Sequence, residues 1–249
     1  MQRIAREVGA LGHAAKDQLR NNGVRGTLAT AWDFGWSAVA FPLVRPDRDP
    51  PTFELCGQTF TYARFGYPNR PWRNERSVEL SLGLRFLDEV APARVLEVGN
   101  VLSHYSAIPH DIVDKYERAP GVTNVDVVDI DVADPYDAVV SISTLEHVGW
   151  HEEPRDPDKV LRARERIIQA TRPDGRVLVT CPFGQNPHLD GLIAEGAFAF
   201  PVVAYLLRIS SDNLWRQASL DEVKGARYGT PYRNANALFV GASNWLQAI

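Results

Sequence analysis

Apolar residues in the second half of the chain fall in short runs, each closed by a polar residue or a glycine. Residues 94–100, Arg94-Val95-Leu96-Glu97-Val98-Gly99-Asn100, are the clearest case. An apolar stretch of this length, ended by glycine and carrying one acid, suits a buried parallel strand. Similar runs follow at residues 111–114, 125–128, 136–143 and 176–180, and two more at 204–210 and 237–242. Helix-like segments separate several of them, notably 156–171, where Asp156 or Asp158 is a candidate cap and Val160, Leu161, Ile167 and Ile168 are apolar. Arg172-Pro173-Asp174-Gly175 predicts a turn. The pattern predicts an α/β fold with a doubly wound, mainly parallel, seven-stranded sheet. Ligands in such sheets sit outside the carboxyl ends of the strands. The polar residues favoured below fall at those ends.

The first part of the chain has other periods. Residues 1–22 predict a helix, stopped by Asn21-Asn22-Gly23. Residues 27–44 are apolar and aromatic but contain Asp33, Gly35 and Pro42. About 20 apolar residues are needed to cross a bilayer. No transmembrane span is therefore expected. Peripheral membrane contact through Trp32, Phe34, Trp36 and Phe41 and packing on the main domain both stay open. Residues 52–65 predict a hairpin around Gly57, and residues 74–87 a helix with Val78, Leu82, Phe86 and Leu87 on its apolar face. The expected organisation is an extension over 1–50, a hairpin and helix covering the site over 51–93, and a core over 94–249.

Composition narrows the function classes. A net charge of −4 over 249 residues argues against broad nucleic-acid binding. The two cysteines, Cys56 and Cys181, have no metal spacing, and Cys181 reads as a buried reduced thiol. Residues 1–12 lack the apolar core and cleavage site of a secretory signal, so a cytoplasmic location is expected.

Four pieces of the sequence resemble the class I S-adenosylmethionine-dependent methyltransferases: Val95-Leu96-Glu97-Val98-Gly99; Asp114 after a short apolar segment; Asn124-Val125-Asp126-Val127, followed by residues 136–140 and Leu145-Glu146-His147-Val148; and residues 170–180. The resemblance covers about residues 94–182. It implies a Rossmann-like methyltransferase fold with S-adenosyl-L-methionine as cofactor. One departure stands out. Val101 and Ser103 occupy positions where the family places further glycines.

The resemblance also implies roles. Glu97 and Gly99 would frame the methionine end of the cofactor, where a carboxylate suits an ammonium group. Asn100 and Ser103 offer hydrogen bonds from the loop. Asp114 would hold the ribose hydroxyls. Asp126, with Asp129 as its rival, would accept from the adenine amino group while Val127 packs on the ring. Ser143 stands at the end of the fourth strand, among the cofactor-binding candidates. His147 would be the base for a hydroxyl acceptor, with Glu146 orienting it or binding substrate. Ser143 replaces the first acid of a Glu-x-x-Glu-His metal arrangement, and no metal is expected. Tyr62, Trp72, Glu75, Arg76, Glu79, His188 and Asp190 are candidates for a small-molecule or glycan acceptor. The implied activity is O-methylation. Two alternatives stay open: a non-catalytic interaction module with a degenerate cofactor loop, and a nicotinamide-dependent oxidoreductase. The second would need a glycine-rich phosphate loop, which the sequence lacks.

Overall fold

In the computed structural model the chain separates into two units at Asp49 and Pro50. The structure describes residues 51–65, 71–90 and 93–246. The expected helix over 1–22, the aromatic segment over 27–44 and part of the 69–74 loop lie outside them.

Two short strands, β1 (Thr52–Leu55) and β2 (Gln58–Thr61), form the expected hairpin, with Phe53 opposite Phe60. Helix α1 (Arg76–Val90) follows and buries Val78, Leu80, Leu82, Phe86 and Leu87. The Asn74 side chain accepts from the Arg76 N–H at 3.0 Å, satisfying one donor of its first turn.

The main sheet contains β3 (Val95–Val98), β4 (Asp111–Val113), β5 (Val122–Thr123), β6 (Tyr136–Ile142), β7 (Thr171–Pro182), β8 (Val202–Arg208), β9 (Trp215–Ala218) and β10 (Ala237–Ser243). Helices α2 (Lys159–Gln169), α3 (Pro187–Ala194) and α4 (Leu220–Val223) lie between strands. The spatial order is β5-β4-β3-β6-β7-β10-β8-β9. Strands β5, β4, β3, β6 and β7 run parallel, and β10 pairs antiparallel with both β7 and β8. The doubly wound, mainly parallel architecture expected from the strand pattern is present. Successive strands build outward through β4 and β5, then restart at β6 on the other side of β3. The order therefore reverses between β3 and β6, the kind of crevice where such sheets bind ligands.

Several expectations need correction. The sheet has eight strands rather than seven. The addition, β9, is an edge strand whose central residues Arg216 and Gln217 face water. The strand expected at 125–128 is instead the two-residue β5, followed by a 3-10 turn at Val127–Asp129. Asp126 causes the change, because its carboxylate caps that turn by accepting from the Val128 N–H at 3.3 Å. Residues 172–175 bulge out of β7, between the pairs Tyr136–Thr171 and Ala138–Arg176. Asp158 stands at the N-cap of α2 but makes no cap hydrogen bond. Its carboxylate goes to His188, and that of Asp156 goes to Arg162.

Alternation along the strands sends side chains into two apolar layers. Val95, Ala138, Val140 and Ile142 join α1 and the hairpin on one face. Leu96, Val98, Val139, Val177 and Val179 join α2 and α3 on the other. Each fully buried large apolar side chain contributes about 1.5–3 kcal/mol. Both layers pack against β3 and β6, whose carboxyl ends lead into polar loops.

Candidate active site

Register brings the carboxyl ends of β3, β4 and β6 level. Val98 pairs with Val113 on one side and Ser141 on the other. The Gly99 N–H donates to Val113 O at 2.8 Å, and the Ser141 hydroxyl donates to Val98 O at 3.0 Å. The chain leaves β3 through Gly99 at φ +86°, a conformation L side chains rarely adopt. A Cβ there would lie 2.1 Å from Thr144 Oγ1. The loops after β3 and β6 therefore meet at this glycine.

The loop after β3 is held from below by Glu97, which is fully buried. Its Oε1 accepts from the Val101 and Leu102 N–H groups at 2.8 and 2.6 Å. Its Oε2 lies 2.8 Å from His110 Nε2, and His110 Nδ1 lies 2.8 Å from Ile108 O. Burial pulls the His110 pKa down, but the bonds to Glu97 and Ile108 and the charges of Glu97 and Asp111 outweigh it, and the net shift is upward. In this structure the Glu97 carboxylate shapes the loop, with Oε1 on two amides and Oε2 on His110. The departure at Val101 and Ser103 fits the same picture. The loop is fixed by hydrogen bonds rather than opened by glycines, and Ser103 Oγ donates to Asn100 Oδ1 while Asn100 Nδ2 donates to Glu117 at 2.7 Å.

Asp114, after β4, uses one oxygen. Oδ1 accepts from the Tyr116 and Glu117 N–H groups at 2.8 and 2.7 Å. No donor among the described residues meets Oδ2, so the group can still accept from a ligand hydroxyl. Asp126 is engaged by two lysines. Its Oδ2 lies 2.8 Å from Lys115 and 2.5 Å from Lys159, and both lysines also reach Glu152 at 2.6 Å. Burial raises the Asp126 pKa, but the two lysines outweigh burial and hold it below the usual range. An amino group at this edge would have to displace a lysine. The rival, Asp129, is exposed. Val127 is buried in the α2-side layer, level with this edge.

The turn after β6 holds the other expected residues. Ser143 adopts φ +42°, and its hydroxyl donates to Glu79 Oε1 at 2.5 Å. The Thr180 hydroxyl donates to the same oxygen at 2.9 Å. Ser143 is thereby tied to α1. Glu146 follows, fully buried, and neither of its carboxylate oxygens has a hydrogen-bond partner. Burial drives its pKa well above the usual carboxylate range, and the charges of Glu79 and Glu75 add to the rise. His147 beside it is half exposed, with Nε2 3.6 Å from Glu146 Oε1 and Nδ1 2.8 Å from His151 Nδ1. Burial, then the charges of His151 and Arg76, lower its pKa, so it stays a neutral base near pH 7.

Of the acceptor candidates, Glu75, Arg76 and Glu79 converge on Glu146 from the start of α1. Arg76 Nη1 lies 3.2 Å from Glu79 Oε2, off the line of a hydrogen bond. Glu75 accepts from the Tyr228 hydroxyl at 3.3 Å and the Ala235 N–H at 3.0 Å. Tyr62, His188 and Asp190 have other partners. Tyr62 is buried and exchanges hydrogen bonds with the Trp215 backbone. His188 pairs with Asp158 at the surface. Asp190 accepts from the Gly184 N–H at 2.9 Å, with its pKa pushed up to about 6 by burial. Sequence reasoning missed His110, Lys115, Glu152, Lys159 and Tyr228. Only His151, four residues after His147, carried a local signal.

No protein-family profile and no curated protein matches the sequence. Solved structures similar to the chain include the N-methyltransferase NodS from Bradyrhizobium japonicum WM9, in complex with S-adenosyl-L-homocysteine. It is 12% identical, over 70% of this chain and 91% of its own, with a TM-score of 0.44. Another is a S-adenosylmethionine-dependent methyltransferase from Thermotoga maritima, 15% identical over 66% of this chain and 87% of its own, TM-score 0.40. A third is the sugar N-methyltransferase KedS8 from a Streptoalloteichus species, 16% identical over 66% and 85%, TM-score 0.35. The functional reading rests on this chain's own residues.

Proposed function

We propose that this chain is a S-adenosylmethionine-dependent methyltransferase acting on a small-molecule or glycan acceptor. The observation that carries it is the level carboxyl edge of β3 and β4 beside β6. There Gly99 lets the loops after β3 and β6 close on each other through Thr144, and Asp114 keeps an unused carboxylate oxygen. The donor set fits the cofactor in part. Asp114 Oδ2 suits the ribose hydroxyls, and the apolar side chain of Val127 suits the base end. When bound, the cofactor supplies an electrophilic methyl group. The chain's own residues position the acceptor and exclude water, from which much of the rate of such a displacement can come. His147, neutral and half exposed, takes the acceptor's proton.

An oxygen acceptor requires such a base, as does an amine that arrives protonated. Calorimetric titration with S-adenosylhomocysteine tests the proposal. Saturable binding at micromolar concentration that Asp114→Ala weakens by about 1–3 kcal/mol supports it. Absence of binding at high micromolar ligand would favour an interaction module on the same fold, the reading that the occupied Glu97 and Asp126 keep in play.

A further inference from the structure

Three carboxylates meet at the turn after β6: Glu146 from the turn itself, and Glu75 and Glu79 from the start of α1. Glu79 and Glu146 are fully buried and Glu75 nearly so. One guanidinium, Arg76, stands among them. Glu79 and Glu75 are partly satisfied by Ser143, Thr180, Tyr228 and the Ala235 amide. Glu146 is not satisfied at all, with both oxygens unpartnered, and Glu79 Oε2 also lacks a hydrogen bond. A buried carboxylate without donors costs several kcal/mol if ionised, so such a group holds its proton or waits for a cation. Partly exposed Tyr228 and His147 are the polar groups next to the cluster, Tyr228 against Glu75 and His147 against Glu146.

We infer that Glu146, with Glu79 and Glu75 behind it, is the seat for a protonated amine on the acceptor. The inference rests on treating this edge as an acceptor-binding site. An ammonium presents three donors in a compact head, and the two unpartnered oxygens of Glu146 are matched acceptors. Arg76 is already engaged with Glu79 and is tethered to α1, so it does not meet both Glu146 oxygens. The acceptor class is then narrower than polyhydroxylated molecules in general. It is an amino sugar or another small primary or secondary amine.

Charge balance gives a direct readout. The groups facing Glu146 are Glu75 just before α1, Arg76 and Glu79 in its first turn, His147 on its own turn, Cys181 on β7, and Tyr228. In the empty site burial without a donor favours the protonated carboxyl of Glu146. An ammonium that enters from neutral solution forms an ion pair with its carboxylate, and one proton leaves Glu146 for the buffer.

The test uses the full chain without cofactor. Thermal shift and calorimetry compare glucosamine with glucose, and phenethylamine with 2-phenylethanol, at fixed ionic strength. The expected result is stabilisation by at least one amine beyond its hydroxyl counterpart, with up to one proton released per amine bound. Proton release is read from the dependence of heat on buffer ionisation. In Glu146→Gln the half-saturating concentration should rise about tenfold or more, as expected for a lost charged hydrogen bond, and the proton release should vanish. If Glu146→Gln does not fold, Glu75→Gln and the wild-type proton count decide. Equal responses to amine and alcohol, equal stabilisation by magnesium chloride, or unchanged binding in the variants would overturn the inference. Parallel titration with S-adenosylhomocysteine keeps the two readings apart. Cofactor binding without an amine effect removes only this inference, and the reverse outcome removes only the methyltransferase.

Discussion

A Cβ on Gly99 would meet Thr144 Oγ1 at 2.1 Å, and the backbone there is left-handed. Both facts set the cost of Gly99→Ala. The left-handed conformation alone costs about 1–2 kcal/mol for an L residue, and the overlap forces the two site loops apart. Denaturant titration should show that loss of stability, and S-adenosylhomocysteine affinity should fall with it. A variant as stable and as tight-binding as the parent would show that the two loops need not touch. His147 gives a second single-residue prediction. His147→Ala should reduce turnover roughly 100-fold or more while cofactor affinity stays nearly constant, as expected for a general base. The pH profile follows from its lowered pKa. The working form is neutral, so activity should rise with pH through a value below the ordinary 6.5 and then level off. A profile rising only above pH 7 would assign the proton transfer to another group.

At the scale of an element, the loop after β3 is the informative one. Glu97→Ala would leave the Val101 and Leu102 amides and His110 without their acceptor in a buried setting. Removing one partner of a buried charged pair costs about 3–5 kcal/mol, which chemical denaturation would measure. The Glu97–His110 pair also predicts a pH dependence. His110 has a folded pKa above its unfolded value, so its contribution is full below about pH 6.5. It should fade as pH rises through the raised folded value, and His110→Gln should flatten that slope. Much of this element was legible beforehand. The run Val95 to Val98, its closing glycine and its position as first strand of the sheet follow from apolar pattern alone. The partner of Glu97 did not, because His110 lies beyond the loop it helps to close. The lysine partners of Asp126 were hidden for the same reason, since Lys159 reaches it from α2, 33 residues away. Strand β9 was hidden because Trp215-Arg216-Gln217-Ala218 offers one buried apolar residue and no sustained alternation. Glu75, Arg76 and Glu79 were recognisable as candidates, but their convergence on Glu146 depends on how α1 crosses β6.

Across the described residues, the hairpin, α1 and one face of the sheet share a single apolar layer. The hairpin is also bound to the far edge of the sheet. Tyr62 joins Trp215, and the Cys56 N–H donates to Gln217 Oε1 at 2.7 Å. Tyr62→Phe should therefore cost about 1–3 kcal/mol by leaving the buried Trp215 N–H unsatisfied. Because the layer is shared, the loss should appear as a shift in midpoint with no change in denaturant dependence; a separate early transition would show that the hairpin melts alone. Strand β10 ties the same sheet together from the inside, between β7 and β8. A nascent chain that has not yet emitted residues 237–243 holds β7 and β8 with bare inward edges, open to pairing with other chains. Ribosome-bound intermediates stalled before Ala237 should thus need chaperone cover that the finished polypeptide no longer requires.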